Sequence, residues 1–571
     1  MHTLDYNSES HVSGSGQVMS PRWELPWQRS YDSGVPFSLQ YPDEPLFTLL
    51  ENAGRDHPDR DAAICFESHL TYGELLTKAR QFAHALRELG IRRGDRVGLL
   101  LPNVPEYPIA IHGIWMLGAS AVQLSPLMVE EEIAKVLEMT GARIMVTLDM
   151  LTPLMAGLRG RRLDHLIVTS LEQRLGILER WLYPIERFRR GAPLRSGKAN
   201  RWIDFDSLIA SQPAHPLRTR IEPHRDAAVI QPTGGTTGSA KAVVLTHRNL
   251  MANALQLKAW DAPRHGHQIV LAVVPYFHCY GLTVVMLGSL ACAYTTVLCP
   301  KFKPATVAKL IRRHRPTMLP AVPALYVTMN QYMEKNPVDL SSIELSISAA
   351  SGLPAQVRRE FESHGAKKLI EAYGLSEASP ATHVNPIVSG GRPGTVGLPL
   401  PDTLARIVDI EANAKDLGVG ETGELVVRGP QVMAGYLDDA EATAAAIRDG
   451  WLFTGDIACY DADGYFRIVD RKKDLIKTSG YNVFPIEVEE VIRKHSGVSD
   501  VAVVGVPDPE RGELVKAFVI AKPDSGLAVA ALEQYCREHL AKHKQPRQIE
   551  LCQELPRNFL GKVLRRRLRE H

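Results

Sequence analysis

At positions 231–250 the sequence reads Gln231-Pro-Thr-Gly-Gly-Thr-Thr-Gly-Ser-Ala-Lys-Ala-Val-Val-Leu-Thr-His-Arg-Asn-Leu250. Glycine permits positive φ and close approach of the backbone, so the N–H groups of such a loop can surround an anion. The threonine hydroxyls add hydrogen-bond donors and Lys241 adds a positive charge. The stretch therefore predicts a phosphate-binding loop. The residues predicted to contact phosphate are Thr233, Gly234, Gly235, Thr236, Thr237, Gly238 and Lys241.

This loop is not the Walker sequence GxxxxGK[ST], because Lys241 is followed by Ala242. It resembles the phosphate-binding signature of the adenylate-forming enzymes, a superfamily of acyl-CoA synthetases, luciferases and peptide-synthetase adenylation domains. Further matches follow in the family's order to the C-terminus, so the resemblance covers nearly all of the chain after residue 22. The family usually has Pro and Gly where this chain has Ala240 and Ala242. Neither departure removes a reacting group.

The segment Tyr373-Gly-Leu-Ser-Glu377 resembles the family's Tyr-Gly-x-Thr-Glu element, with Ser376 in place of Thr. The resemblance implies that Tyr373, Gly374 and Ser376 contact ATP, with Tyr373 against the adenine. It also implies that Glu377 and Thr233 help to hold Mg²⁺. A hard cation prefers carboxylate and phosphate oxygens, which Glu377 and ATP would supply.

The segment Trp451-Leu-Phe-Thr-Gly-Asp456 resembles the next family element. It implies that Asp456 accepts hydrogen bonds from both ribose hydroxyls of ATP, for which the two oxygens of a carboxylate are suited. Arg471 would reach the same ribose. These residues are far apart in the sequence, so only the fold can join them.

The stretch from Asp470 to Pro485 resembles the family's hinge region. By this resemblance Lys473 is the hinge between two domains and is counted with the nucleotide site. Lys477 is expected to contact phosphate as a catalytic residue, and Gly480 is expected to border the pantetheine of coenzyme A.

The segment Pro556-Arg-Asn-Phe-Leu-Gly-Lys-Val-Leu-Arg-Arg-Arg567 resembles the last family element, with Lys562 as the catalytic lysine. A fatty carboxylate must attack an α-phosphate that is already anionic. An ammonium group between the two anions offsets their repulsion and follows the charge into the transition state. The predicted catalytic residues are therefore Lys562, Glu377 and Lys477.

The segment Val274-Pro-Tyr-Phe-His-Cys-Tyr-Gly281 resembles the acid-binding element. Relatives that activate amino acids have an Asp beside the Phe, where this chain has His278. A buried Asp without a cation would be costly, so His278 indicates an acid without an amino group. The predicted acid-binding residues also include Cys279 and, in the segment Ser348–Pro354, three small residues. These three are Ser348, Ala350 and Gly352.

Two segments, Leu25–Pro36 and Trp181–Arg201, resemble bacterial long-chain fatty-acid–CoA ligases. The sequence therefore predicts an ATP-dependent ligase that forms a long-chain acyl-AMP and passes the acyl group to coenzyme A. Small residues in the pocket wall would also accept an aromatic ring. The alternatives are a medium-chain or aryl acid–CoA ligase, a fatty acyl-AMP ligase that serves a carrier protein, and a non-enzymatic lipid-binding relative.

Apolar β-branched runs such as Arg96–Leu101 and Ala121–Leu124 alternate with helical patterns, which indicates an α/β fold with largely parallel sheets. Short strands separated by Gly and Asp follow Leu404 and predict a small antiparallel subdomain. We expect a disordered tail at 1–22, an N-terminal adenylation domain at 23–470 with two β/α sheets plus that subdomain, and a mobile α+β C-terminal domain at 471–571.

The composition is that of a globular protein, with 45% hydrophobic and 23% charged residues, and a net charge of +2 gives no reason to expect nucleic acid as a partner. The seven cysteines are scattered without metal-binding spacing, which favours reduced thiols and a cytoplasmic location. The stretch 269–300 contains no Asp, Glu, Lys or Arg, but Pro275, Gly281 and Gly288 interrupt it. It favours buried strands and a helix over a membrane span. A homodimer is left open.

The segment 174–201 is rich in Arg and in aromatic residues. Such a segment can lie on an anionic bilayer, in which fatty acids partition, and would then place the protein at the inner face of the membrane. The alternative is a solvated loop whose aromatic residues pack on the main domain. The basic residues are Arg174, Arg180, Arg187, Arg189, Arg190, Arg195, Lys198 and Arg201.

Overall fold

The computed structural model describes residues 25–155, 158, 163–175, 177–189, 191–192, 202–233, 241–264, 266–410, 415–479, 481–557 and 563–569, with the side chains of 173 and 177–179 excepted. The expected tail at 1–22 lies outside the described residues. Within them the strands form four sheets.

The first sheet positions most of the acid-binding residues. Its six central strands are parallel and its edges are antiparallel. In spatial order the described strands are Leu398–Pro399, Ala381–Val384, Leu369–Gly374, Leu345–Ser348, Met318–Ala321, Ile269–Ala272, Thr295–Leu298, Asp61–Cys65 and Ser68–Thr71. Ligands of such sheets bind beyond the carboxyl ends of the strands, where Tyr373 and Gly374 lie.

The second sheet carries the two strands that flank the predicted phosphate loop. In order its described strands are Gly435–Tyr436, Lys241–Thr246, Ala227–Thr233, Ser120–Gln123, Arg96–Leu100, Ile144–Leu148, His165–Thr169 and Trp202–Asp204. The last six run parallel, and the first three are joined by antiparallel pairing. The sequence therefore predicted the parallel core correctly.

The third sheet is antiparallel and consists, in the described part of the chain, of Leu404–Val408, Gly423–Arg428, Trp451–Tyr460, Ile447–Arg448 and Phe466–Arg471. It confirms the predicted antiparallel subdomain. The fourth contains Tyr481–Val483, Ile476–Thr478, Gly512–Ala521, Val498–Asp508 and Gln548–Leu551, and it has its own apolar core. The first two sheets instead share one continuous core. The predicted boundary between 470 and 471 falls one residue before the end of the third sheet, whose last strand ends at Arg471, and it stays a prediction.

Helices cover both faces of the large sheets. On the fourth sheet two helices, Pro485–Arg493 and Val529–His539, pack on one face, and the short helix Arg565–Arg569 packs on the other. The helix His247–Asp261 begins with a capping box, in which Thr246 and Asn249 bond to each other's backbone N–H groups. The described α-helices are Thr48–Asp56, Tyr72–Glu88, Glu106–Met116, Glu130–Thr140, Ile177–Arg189, Phe205–Ala210, His247–Asp261, Gly288–Ala291, Pro304–His314, Pro323–Met333, Ala355–Ser363, Ala440–Ala446, Pro485–Arg493, Val529–His539 and Arg565–Arg569.

The apolar stretch 269–300 folds as the sequence predicted. The strand Ile269–Ala272 leads into a π-helix, Tyr280–Leu287, which continues as the helix Gly288–Ala291, and the strand Thr295–Leu298 follows. Among the described helices, none combines the length and the apolar character needed to cross a membrane.

Two arginines of the basic segment 174–201 point into the protein, although the sequence predicted that the segment's arginines would face a bilayer or solvent. Arg174 donates a 2.7 Å hydrogen bond from Nε to Oε1 of the buried Glu106, and Arg187 lies with Nη1 3.4 Å from Oδ2 of the buried Asp149. Tyr183 also donates to Asp149, at 2.6 Å. The idea that these arginines face lipid is therefore wrong: a buried carboxylate requires a paired cation, and the two arginines anchor the segment to the large domain.

Candidate active site

A cavity of about 450 Å³ opens where the first, second and third sheets meet. We call it the central cavity. One end is polar and is lined by Thr233, Lys241, Glu377, Tyr436, Arg471 and Lys473. The other end extends between the first sheet and the helix His247–Asp261 and is lined mainly by apolar side chains. The cavity thus joins a charged site to an apolar channel.

The predicted phosphate loop connects two paired strands at the polar end. Thr233 is the last residue of one strand and Lys241 is the first of the next, and the two residues are cross-strand partners. The hydroxyl of Thr233 donates a 3.2 Å hydrogen bond to the carbonyl of Lys241. The loop positions Gly234, Gly235, Thr236, Thr237 and Gly238 lie outside the described residues.

The predicted adenine and ribose residues lie next to one another. The hydroxyl of Tyr373 donates a 2.5 Å hydrogen bond to Oδ2 of Asp456, and Nε of Arg471 lies 2.5 Å from Oδ1. Asp456 is buried and does not itself line the central cavity. Its two partners, Tyr373 and Arg471, do line the cavity and lie between Asp456 and the open space. Gly374 also lines the cavity, and a Cβ there would lie 2.1 Å from the carbonyl oxygen of Pro380.

Sequence reasoning missed Tyr436, which links the predicted metal ligand to the phosphate loop. Its hydroxyl donates a 2.9 Å hydrogen bond to Oε1 of Glu377, and Nζ of Lys241 lies 4.9 Å from the centre of its ring. The two-residue strand Gly435–Tyr436 holds it beside the strand of Lys241. The tyrosine therefore orients Glu377 toward the polar end of the cavity.

His278 and Cys279 reach the cavity at the junction of its two ends. Nδ1 of His278 accepts a 3.2 Å hydrogen bond from the backbone N–H of Tyr280, which leaves the ring proton of the neutral imidazole on Nε2. Burial lowers the pKa of His278 to about 4 and raises the pKa of Cys279 to about 12. Sγ of Cys279 lies 3.3 Å from Oγ of Ser376, which also lines the cavity. Both His278 and Cys279 are therefore uncharged at neutral pH.

The three small residues predicted for the pocket wall do not stay together. Ala350 lines the cavity, with a positive φ of 75°. Ser348 is buried in its strand and Gly352 is exposed, and neither borders the cavity. Ala349 takes their place beside Ala350. Strand alternation would place Ser348, Ala350 and Gly352 on one face, but the strand ends at Ser348 and Ala350 has a positive φ, so the alternation does not continue past the strand.

The predicted hinge residue Lys473 lines the polar end, where burial, with the Arg471 charge as a lesser cause, lowers the pKa of its ammonium group. Lys477 is exposed on the strand Ile476–Thr478 and does not border the cavity in this conformation. Gly480 and the predicted catalytic Lys562 lie outside the described residues.

Arg565 holds the C-terminal helix against the hinge region. It lies 3.5 Å from Asp470 and from Asp474, and its Nη2 donates a 2.6 Å hydrogen bond to Glu489. Arg569 donates to the backbone carbonyl of Lys473 at 3.4 Å. Arg565 is thus part of a buried charge network rather than of a solvated tail.

Comparisons with known proteins agree with this geometry. Residues 50–437 match the family model described as AMP-binding enzyme, and residues 487–562 match the AMP-binding enzyme C-terminal domain. The long-chain-fatty-acid–CoA ligase of Bacillus subtilis (strain 168) is 39% identical over 550 residues, which are 96% of this chain and 98% of that protein. The long-chain-fatty-acid–CoA ligase of Salmonella typhimurium is 37% identical, and the match covers 95% of this chain and 98% of that protein. Among solved structures, ATP-bound MatB from Rhodopseudomonas palustris is 27% identical with a TM-score of 0.80, and the match covers 92% of this chain and 99% of that one.

Proposed function

Because the chain belongs to the AMP-binding enzyme family, we propose that it is an ATP-dependent ligase that activates a long-chain fatty acid as acyl-AMP and transfers the acyl group to coenzyme A. Pyrophosphate leaves in the first step and AMP in the second. The observation that carries this proposal is the central cavity, whose charged end adjoins an apolar channel. The curated relatives named above support the same reaction.

The polar end of the cavity suits ATP. Tyr373 and Arg471 line it with Asp456 behind them, and each oxygen of that carboxylate already accepts one hydrogen bond or ion-pair contact. A carboxylate oxygen has two lone pairs, so Asp456 can still accept a ribose hydroxyl if the neighbouring side chains shift. Lys241 and the loop that it follows would meet the phosphates.

The donor set near Glu377 fits Mg²⁺. This ion is usually held by one or two carboxylates, by substrate phosphates and by water, and Glu377 and the hydroxyl of Thr233 both face the polar end of the cavity. Bound there with ATP, Mg²⁺ would neutralise part of the phosphate charge. Tyr436 keeps one oxygen of Glu377 hydrogen-bonded and leaves the other for a ligand.

Adenylation requires a carboxylate to attack the α-phosphate, and both groups are anions. We assign Lys562 to the space between them, where its ammonium group stabilises the developing charge. His278 stands at the entrance to the apolar channel as a neutral ring with its proton on Nε2, so it can donate a hydrogen bond to an oxygen of the acid but cannot form an ion pair with it at neutral pH.

Thioester formation requires the C-terminal domain to turn about Lys473. Rotation would carry Lys562 away and bring Gly480 and the pantetheine of coenzyme A toward the acyl carbon. It must also break the contact of Arg565 with Asp470, which crosses the predicted domain boundary. Lys477 is exposed in the present conformation, which leaves it free to reach phosphate in the turned one.

The substrate assignment is tested by pyrophosphate release and coenzyme A consumption across acids of graded length, with cinnamate and amino acids as competitors. Each additional buried CH₂ contributes up to about 0.8 kcal/mol, so kcat/KM should rise from C8 to C16. A flat or falling profile contradicts the long-chain assignment and favours a medium-chain or aryl acid. Acyl-AMP that accumulates without coenzyme A consumption favours a carrier-protein acceptor.

We also propose that the enzyme works in the cytoplasm and docks on the anionic inner face of the membrane through the helix Ile177–Arg189. Trp181 is 77% exposed and Phe188 is 78% exposed, and Leu182 and Ile185 are exposed beside them. Arg180 and Arg189 are exposed on the same helix, so positive charge borders the apolar face. Because Arg174 and Arg187 tie the segment to buried carboxylates, the aromatic side chains project from a fixed base.

A further inference from the structure

The apolar channel of the central cavity does not end in apolar residues. Its walls include Leu257, Val284 and Met318, but its far end is lined by four polar or sulfur-containing side chains. These residues are Asp261, Ser289, Cys292 and Tyr294. A channel built only for alkyl chains has no need of such groups, since buried polar groups are costly unless they are hydrogen-bonded.

The register of the first sheet gives the length of the channel. Val270 pairs with Met318, and Met318 pairs with Leu345, so these residues stand at one level across the parallel strands. The next residue, Ser346, pairs with Leu369, and Tyr373 at the polar end lies four residues further along that strand, so Tyr373 stands five residues above this level, about 16 Å at 3.3 Å per residue. An extended peptide spans roughly 1.2 Å per backbone bond, so a carbon chain of about 13 bonds would cover this distance.

The polar cluster lies at or below that level. Tyr294 precedes Thr295, the partner of Ile269, and so stands two residues below Val270. Asp261 is the last residue of the helix that forms the opposite wall. The terminal carbons of a fatty acid with a dozen or more atoms would therefore meet this cluster.

Most of the cluster has a structural explanation. The hydroxyl of Tyr294 donates a 2.8 Å hydrogen bond to Oδ2 of Asp261, and Nη1 of Arg264 lies 3.4 Å from Oδ1. These contacts tie the end of a helix to the start of a strand and compensate the buried carboxylate. Burial nevertheless raises the pKa of Asp261, although the Arg264 charge opposes this shift.

Ser289 is not explained in this way. It is 3% exposed and lines the cavity, and its side chain makes no hydrogen bond to another residue that the structure describes. Because Ser289 lines the cavity, a bound ligand can supply its hydroxyl with a hydrogen-bond partner. The carboxylate of Asp261 at the same end of the channel provides a second acceptor.

We propose that the channel takes long-chain acids that carry a hydroxyl or similar hydrogen-bonding group near the end remote from the carboxylate, and that Ser289 and Asp261 recognise this group. The inference rests on the proposed acid–CoA ligase activity and narrows its substrate class. The hydroxyl of Ser289 would then form a hydrogen bond with the substrate. The substrate hydroxyl could bind at the far end of the channel, where a wholly apolar wall would disfavour it.

The test compares ω-hydroxy acids with the unsubstituted acids of the same length, from C8 to C18, by pyrophosphate release. The ratio of the two kcat/KM values should pass through a maximum near C12–C16, because only at that length does the hydroxyl reach the cluster. Ser289→Ala should lower this maximum about 2- to 10-fold, the factor of one net hydrogen bond. Because the readout is a ratio, a general loss of activity cancels.

Thr283→Val is the matched control. Thr283 lies in the adjoining π-helix and its hydroxyl is buried without a hydrogen-bond partner within the described chain, but it does not line the cavity. Its replacement should leave the ratio unchanged at every length. A ratio without a maximum, or one that Ser289→Ala does not lower, overturns the inference while the ligase activity stands. If no acid in either series releases pyrophosphate, the proposed function fails as well.

Discussion

Arg471 and Asp456 are cross-strand partners in the antiparallel sheet, and Nε of the arginine lies 2.5 Å from Oδ1 of the aspartate. The hydroxyl of Tyr373 binds the other carboxylate oxygen. Asp456 is therefore engaged on both sides before any nucleotide enters. It either accepts the ribose hydroxyls directly, as the sequence predicts, or acts only by orienting Tyr373 and Arg471.

ATP and 2′-deoxy-ATP distinguish these two roles. If Asp456 accepts the 2′-hydroxyl, wild-type enzyme should prefer ATP by about 10- to 100-fold in kcat/KM, since a hydrogen bond to a charged group contributes about 1.5–3 kcal/mol. Asp456→Asn should remove most of that preference. Equal losses for both nucleotides would assign Asp456 a positioning role. Asp416→Asn, at an exposed ion pair with Arg406, is the control and should change neither rate.

Membrane docking predicts separate effects for the apolar and the basic residues of the helix Ile177–Arg189. Trp181→Ser with Phe188→Ser should reduce co-sedimentation with anionic liposomes at least tenfold at all salt concentrations, because large apolar side chains lose their burial in the interface. Arg180→Glu with Arg189→Glu should reduce it mainly at low salt, where charges are least screened.

Val388→Ser, at another exposed apolar side chain, is the control for that experiment and should bind like wild type. Arg187 is unsuitable for a surface test, because its partner Asp149 is buried. Unchanged co-sedimentation of both double variants would show that the helix is only a surface feature.

Acid should destabilise the large domain through buried histidines such as His383. Burial lowers the pKa of His383 to about 3, and its ring packs against Tyr373 and Phe466. The folded state keeps this histidine neutral, whereas the unfolded state binds a proton below about pH 6.5. The stabilisation is therefore complete above that pH and is lost as pH falls toward 3, at about 1.36 kcal/mol per pH unit.

Urea unfolding of the large domain at pH 8, 7, 6, 5 and 4 measures this effect. Gln at position 383 cannot bind a proton. Below pH 6 the unfolding free energy of His383→Gln should therefore fall less steeply with decreasing pH than that of wild type, by about 1.36 kcal/mol per pH unit, the slope that one proton contributes. Above pH 7 the two slopes should coincide, which is the internal control. Parallel curves over the whole range would mean that His383 titrates alike in both states.

Local patterns in the sequence were sufficient for the strands of the sheets and for the residues on either side of the phosphate loop. The strands Arg96–Leu100 and Ser120–Gln123 lie within one residue of the runs Arg96–Leu101 and Ala121–Leu124 that predicted them, because continuous apolar runs encode a buried strand directly. Thr233 and Lys241 likewise come together because the loop between them joins adjacent strands.

Tertiary contacts could not be predicted in the same way. Tyr436 contacts Glu377 through a strand of only two residues, too short for any periodic pattern. The composition of the segment 174–201 indicated a basic, aromatic surface but not that Arg187 would turn inward, since that depends on Asp149 in a distant segment. The polar end of the acid channel was missed because Asp261, Ser289 and Tyr294 each look like ordinary residues of their own elements.

Rotation about Lys473 predicts unequal effects on the two half-reactions. Lys473→Pro fixes φ at the hinge, so acyl-AMP should still form while thioester formation slows. Lys473→Ala is the matched control, because it removes the charge that lines the cavity without restricting the backbone. Both half-reactions can be followed in single-turnover experiments with ATP or with synthetic acyl-AMP. If Lys473→Pro and Lys473→Ala slow the two half-reactions equally, the effect comes from loss of the lysine side chain, and the hinge lies at another residue.

Lys562 is expected to serve adenylation alone. Loss of one well-placed charge-stabilising group typically costs about 3–4 kcal/mol, or on the order of 10²–10³ in rate, so Lys562→Ala should nearly abolish pyrophosphate release. Given synthetic acyl-AMP and coenzyme A, the same variant should form thioester at close to the wild-type rate, because the turned domain carries position 562 away from the acyl carbon. Lys562→Arg should restore little, since a planar guanidinium does not replace a compact ammonium. Lys542→Ala, at an exposed lysine of the same domain, should leave both rates unchanged. If both half-reactions of Lys562→Ala fall together while its circular dichroism stays native, either the two-conformation scheme or the role of Lys562 is wrong.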